Sequence, residues 1–351
     1  MYDDIAISPR ERYPCQERFE DSEGNRMAIM TVRGPITAQQ AGPILSHEHV
    51  LCDLWSFVRS YDGILDDEEL AVQELQAFAR AAGGGTLVDA TSFGLGRNPR
   101  ALSRISQESG VHIVMGAGWY REEVYPSLVW ELSTNELADR VVEELTIGAD
   151  GTSIRAGMIG EIGTERKQIT PAQERVFRAA GRAHARTNAA ILTHTTHFGE
   201  LAVEQIALLA EERVPPSRIV ISHLGDRPGR TDMLLAIAQT GVHLSIDNIG
   251  YLGSGYPDDA VRVRNIRTLI EEGHLDQILL SGDICMKSHL HAYGGKGYDH
   301  VHSKFLPLLA ASGVTQEQIL RMTVVNPWNA YDMPPVAAPE DPSGVLAAQA
   351  H

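Results

Sequence analysis

The tightest constraint on the fold is a rhythm. Short apolar runs recur along the chain, each followed by a loop and then by a stretch with helical periodicity. The runs are 43–51 (PILSHEHVL), 85–92 (GTLVDATS), 112–120 (HIVMGAGWY) and 156–163 (AGMIGEIG). They continue with 190–197 (AILTHTTH), 219–226 (IVISHLGD), 243–250 (HLSIDNIG) and 278–285 (ILLSGDIC). Between them lie amphipathic stretches such as 67–82, 171–186, 200–212, 231–239 and 261–272, with acidic residues near their starts. Strands alternating with helices imply parallel βα units. Eight such units predict an α/β fold, a (β/α)8 (TIM) barrel, with an open doubly wound sheet as the alternative. A barrel of this kind forms as one domain from about 250 residues upward. It is expected over 27–333, entered through a short strand and turn at 27–35 that suits a hairpin extension. Residues 1–26 read as an irregular N-terminal segment and 334–351 as a loose Pro/Ala-rich tail.

Composition narrows the class of partner. The net charge of −16 argues against nucleic acid or an anionic membrane surface, since both call for a basic footprint. No window approaches 18 consecutive apolar residues, so no membrane span is expected. The polar N-terminus lacks the apolar stretch of a secretory signal. Cys15, Cys52 and Cys285 fit neither a disulfide framework nor a CxxC pattern, which points to the reducing cytoplasm.

Ionisable residues stand where apolar strands end. His47 and His49 are two apart in the first run, so on a strand they share a face. Glu161 ends the fourth run, His194 lies in the fifth, His223 in the sixth and Asp283 in the eighth. Asp226, Asp247 and Asn248 also fall at strand ends. Active sites of such barrels form at the C-terminal ends of the strands. Four histidines and two carboxylates converging there are costly to bury unless a metal compensates them. Six ligands exceed one tetrahedral ion. They suit two ions roughly 3.5–4 Å apart, sharing a bridging carboxylate and hydroxide. Glu161, with two oxygens to give, is the natural bridge. His47, His49 and Asp283 are expected at the more buried ion, His194 and His223 at the other. The pairs His289/His291 and His300/His302 lie outside strands and read as loop or surface histidines, with His289 able to line the pocket mouth.

From ILSHEHV, RAGMIGEIGTE, LTHTT, ISHLGD, LSGDI and TVVNPW, the chain resembles the phosphotriesterase-like branch of the amidohydrolase superfamily over about 27–333. The resemblance implies a barrel with a binuclear site, commonly zinc, with Mn, Co or Fe as other divalent ions, and it suggests a homodimer. It departs from the best-known members twice. Their bridging carboxylated lysine on strand 4 is replaced by Gly160-Glu161, as in a glutamate-bridged sister branch. Their strand 7 histidine is replaced by Asp247-Asn248, which tells against efficient triester hydrolysis.

The reaction expected is hydrolysis of a small molecule, with a metal-bridging hydroxide attacking a carbonyl, foremost in a lactone or carboxylic ester. An amide hydrolase on an N-acyl compound, a weak phosphotriesterase and a non-catalytic binding barrel are the alternatives. Asp283 is expected to accept the nucleophile's proton and pass it to the leaving group. Asp226 is expected either to relay protons and orient His223 or to cap the helix near Thr231. Trp119, Tyr120, Asn248, Lys287 and His289 are the expected substrate-facing residues, and Lys287 and Arg227 the cations able to hold an acid group.

Overall fold

The computed structural model describes residues 27–196, 199–226, 229–251 and 255–334. The segment 1–26, the tail beyond residue 334 and Arg227 lie outside the described residues. A hairpin of β1 (Ile29–Thr31) and β2 (Gly34–Ile36) leads into β3 (Ile44–Glu48). The loop after β3 carries a small hairpin of β4 (Cys52–Asp53) and β5 (Ile64–Leu65). There follow β6 (Thr86–Asp89), β7 (His112–Ala117), β8 (Met158–Gly163) and β9 (Ile191–His194). The last three are β10 (Ile219–Ile221), β11 (His243–Ile246) and β12 (Ile278–Leu280).

With β3, these strands form one parallel eight-stranded sheet in sequential order. Its two edges meet. The Asp283 N–H donates to the His47 carbonyl and the His49 N–H to the Ile284 carbonyl, both at 3.2 Å. The result is a nearly closed barrel, and the open-sheet alternative falls away. Helices Glu68–Ala82, Pro99–Ser109, Thr134–Thr146, Pro171–Thr187, Ala202–Glu211, Thr231–Ala238 and Asp259–Glu271 surround it. Local signals mark their ends. Asp67 caps the Leu70 N–H, and Gly83 leaves that helix in the left-handed conformation that glycine adopts without steric penalty. Among the described residues no helix is long and apolar enough to cross a membrane.

The strands read as nearly continuous apolar runs because they are buried on both faces. One apolar cluster fills the barrel interior, with Ile44, Val88, Val114, Met158, Leu192, Val220 and Leu279 contributed by different strands. Ile29 and Ile36 of the hairpin, with Trp328 and Tyr331, plug its lower end. The second cluster lies between strands and helices and includes Phe78, Leu102, Phe177, Ile237 and Ile266. The NPW motif belongs to this closure: buried Asn326 donates to the carbonyls of Leu275 and Ile278 at 2.8 and 2.9 Å.

Regular strands stop short of the apolar runs. β10 ends at Ile221 and β12 at Leu280, so His223, Asp226 and Asp283 sit in the turns beyond. There the chain leaves the extended conformation in order to aim side chains into the mouth. The late histidine pairs lie outside strands, with His291 exposed. His291 bridges Glu74 at 2.9 Å and Asp299 at 3.0 Å, and His300 stands 3.0 Å from Asp259. His302 packs half-buried, edge-on to Phe78. Glu74 and Phe78 of the helix Glu68–Ala82 thus hold His291 and His302, and Asp259 of another helix holds His300.

His243 begins β11, and burial pushes its imidazole down to about 4. Its neutral form therefore stabilises the fold fully above its unfolded pKa of about 6.5. That contribution is lost as pH falls from 6.5 through 4, because the unfolded chain binds the proton first. Urea unfolding of metal-free protein is expected to show the parent losing about 3 kcal/mol relative to His243→Gln across this window. Equal pH slopes in the two proteins would contradict it.

Candidate metal centre

Local irregularities place the site residues. On β3, Leu45 faces Leu87 and Glu48 faces Asp89, so three steps match two on β6. The extra residue is a bulge beside His47. On β8, Ile159 faces Ile191 and Ile162 faces Thr193, a second bulge that carries Glu161. Gly160 makes it feasible: its φ is +122°, and a Cβ there would come 2.2 Å from the Leu192 carbonyl oxygen. His223 and Asp283 hold φ of 60° and 50°, a left-handed conformation that costs a non-glycine residue roughly 1–2 kcal/mol. Such strain gathers where function dictates geometry.

The six expected ligands come together. Glu161 is at the centre: its Oε2 lies 3.4 Å from His47 Nε2, 3.3 Å from His194 Nδ1 and 3.7 Å from His223 Nε2, and its Oε1 3.6 Å from His49 Nε2. Asp283 Oδ1 stands 3.6 Å from His47 Nε2 and 3.3 Å from His49 Nε2. Ligand atoms of His47, His49 and Glu161 fall within 4.8 Å of one another, as do those of Glu161, His194 and His223. The centre thus has two halves that share Glu161, as a bridging carboxylate requires.

Its donors fit divalent cations. His47 Nε2 and Glu161 Oε2 are buried without a hydrogen-bond partner, although the cost of leaving such atoms unpaired is high. Burial disfavours charge on His49, yet Asp283 and Glu161 outweigh it and lift the imidazole to about 9. In the same way Asp247 and Glu161 overcome burial and raise His223 well above its ordinary value. A cluster that draws protons onto its histidines has a surplus of negative potential, which a divalent ion neutralises as those protons leave. Burial and His223 push His194 down to about 4, which leaves its imidazole neutral at pH 7.

Asp247 has a role not anticipated from the sequence. Its Oδ1 lies 3.0 Å from His223 Nδ1, so this buried carboxylate orients His223 through the nitrogen away from the centre, while its Oδ2 stands 3.4 Å from His47 Nδ1, which has no hydrogen-bond partner. Asp226 does not meet His223 in this way, nor does it cap the helix at Thr231, whose N-cap is Arg230. It is buried and paired with fully buried Arg262 at 2.7 Å, and it accepts from Asn248 Nδ2 at 2.5 Å. Asn248 therefore braces Asp226, while its own Oδ1 is left unpaired.

The other expected substrate-facing residues divide. The Tyr120 hydroxyl stands 3.1 Å from His194 Nδ1, with the rings edge to face. Trp119 packs in the core between strands and helices. His289 lies half-buried beside Tyr251, whose hydroxyl is 3.0 Å from its Nδ1 and donates to the Asp283 carbonyl. Lys287 pairs with Asp66 at 3.3 Å. Tyr251 belongs to the loop 249–257 after the seventh run, which is expected to line the pocket, and the return of that loop after β11 brings its hydroxyl to Asp283.

Residues 27–331 match the model of the phosphotriesterase family. The chain is 36% identical to the phosphotriesterase homology protein of Escherichia coli, over 82% of this chain and 96% of that protein. A crystal structure of that E. coli protein with phosphate in its active site superposes with a TM-score of 0.79, at 34% identity, over 83% of this chain and 99% of that one. A lactonase from Listeria monocytogenes gives 0.80 at 32% identity, over 87% and 98%. The human N-acetyltaurine hydrolase is 35% identical over 75% of this chain and 77% of its own length. Barrel, histidine–glutamate cluster and matched length agree: the chain belongs to the phosphotriesterase family.

Proposed function

We propose that this protein is a binuclear metal-dependent hydrolase acting at a carbonyl carbon, foremost of a lactone or carboxylic ester. The observation that carries this reading is the buried glutamate shared by two groups of histidines, beside an aspartate close to both His47 and His49. His47, His49, Glu161, His194, His223 and Asp283 would hold two divalent ions, zinc first for this histidine-rich donor set, which when bound would lower the pKa of water toward neutrality and polarise the scissile oxygen. Asp283 takes the nucleophile's proton and returns it to the leaving oxygen. In the metal-free site its carboxyl is held below the usual range because His49 and His47 outweigh the effect of burial. Tyr120 stays protonated, because burial and nearby Glu161 raise its phenol, and it can donate a hydrogen bond to substrate. Asp247 holds His223 in orientation and faces His47 at 3.4 Å. Asp226, clamped by Arg262, acts as a brace at the strand ends.

A second reading, hydrolysis of an N-acyl amide, is favoured by the resemblance to the N-acetyltaurine hydrolases. The amine leaving group needs protonation, which places a heavier demand on Asp283. Zinc- or manganese-loaded protein should be assayed against matched lactones, aryl esters, N-acyl amides and a phosphotriester, with Asp283→Asn as background. Asp283-dependent turnover of lactones or esters above the other classes is the expected result. Selective amide turnover would replace the first reading with the second, and silence with two ions bound per chain would contradict both for the compounds tried.

A further inference from the structure

Glu48 stands between His47 and His49 but turns away from the ligand set toward the end of β12. Its side chain is wholly buried. Oε1 accepts from the Ser281 hydroxyl at 2.7 Å and from the Gly282 N–H at 2.6 Å, and Oε2 accepts from the Ile284 N–H at 2.7 Å. Asp283 is the residue between those two amides. Its own N–H donates to the His47 carbonyl at 3.2 Å, so the backbone around it is tied to β3 on three consecutive residues.

The tie falls at the seam where the barrel closes. β3 and β12 are the two edges of the sheet, and side chains take over here from the regular ladder. The Ser46 hydroxyl donates to the Leu280 carbonyl at 3.2 Å, and the Ser281 hydroxyl accepts from the His47 N–H at 3.0 Å. Asp283 adopts φ of 50°, a conformation that a non-glycine residue keeps only when its surroundings hold it. Three donors from the end of β12 engage the two Glu48 oxygens, and Glu48 is in neither group of histidines around Glu161. A carboxylate is the side chain that accepts at both oxygens. Glutamine would turn an NH2 toward one of the two amides.

We propose that Glu48 is a positioning residue: it grips the amides on either side of Asp283 and thereby aims the Asp283 carboxylate at the nitrogens that His47 and His49 present to the centre. One short acidic residue inside the His-x-His pair then couples the two strands that build that half of the site. The kinetic part of this inference rests on the hydrolase reading; its metal-binding part does not.

The test is a double-mutant cycle of Glu48→Gln and Asp283→Asn. It is read by Co2+ titration of metal-free full-length protein and by turnover of whichever substrate the parent hydrolyses. Glu48→Gln is expected to weaken Co2+ binding and lower kcat by on the order of 10–100-fold, the usual cost of losing an outer-shell partner, with KM little changed. The double variant is expected to be no worse than Asp283→Asn alone, because a residue acting through Asp283 has nothing left to position. Additive losses, or parental Co2+ affinity in Glu48→Gln, would overturn the proposal. If Glu48→Gln does not fold, Gly282→Ala presses on the same contact, since the new Cβ would come 3.2 Å from Glu48 Oε1. Its losses should likewise vanish in the Asp283→Asn background, and additive losses there would again overturn the assignment. If the parent turns over nothing, the Co2+ cycle still decides the role of Glu48.

Discussion

Asp283→Asn is expected to lower kcat by about 10²–10⁴-fold, the range that a positioned general acid–base supplies, while the protein still folds and binds metal. Asparagine keeps the size of the side chain and one acceptor oxygen, so the backbone bond to His47 and the packing around the turn are untouched. What is lost is a group able to carry a proton from the nucleophile to the leaving group. Asp283 Oδ1 is within 3.6 Å of two histidine nitrogens that face the centre, which is the ground for the expectation. The measurement is kcat at verified metal content, beside thermal melts of the metal-free proteins. Near-parental kcat with full metal would remove Asp283 from the chemistry.

The second large effect is expected at Glu161. Glu161→Ala should reduce bound metal from two ions per chain to one or none, with turnover falling by at least about 10³-fold, well beyond the roughly 10–100-fold typical of an outer-shell loss. Every histidine of the set lies within 3.7 Å of a Glu161 oxygen, so its removal leaves two half-sites with nothing in common. Elemental analysis after dialysis, paired with an activity assay, distinguishes the outcomes. Two ions retained at normal turnover would refute the bridging role, and two ions retained without turnover would make Glu161 catalytic but not structural to the centre.

The barrel was legible because its physics is repetitive. A parallel strand buried on both faces must be apolar throughout, and the helix that returns the chain must be amphipathic, so eight repeats of that pattern leave few architectures. The candidate ligands were legible for the complementary reason. In strands that have to be apolar, His47, His49, Glu161, His194, His223 and Asp283 stand out as costly unless used together. The apolar runs overshoot the regular strands at β10 and β12, because an apolar residue looks alike on a strand and in the turn that follows it.

What remained hidden depends on partners far apart in sequence. Asp247 sits 24 residues from His223, Arg262 lies 36 from Asp226, and Glu48 lies 234 from Gly282. No periodicity relates such positions, and each became a functional contact only when the sheet closed on itself. The sequence by itself determined the repeated unit, the number of repeats and the polar residues at the strand ends, since these follow from local burial and periodicity. Only the tertiary structure decided that Asp247 meets His223, that Arg262 clamps Asp226 and that Glu48 reaches the amides on either side of Asp283. Those contacts are set by distances of 2.6–3.0 Å between atoms that chain order leaves unrelated.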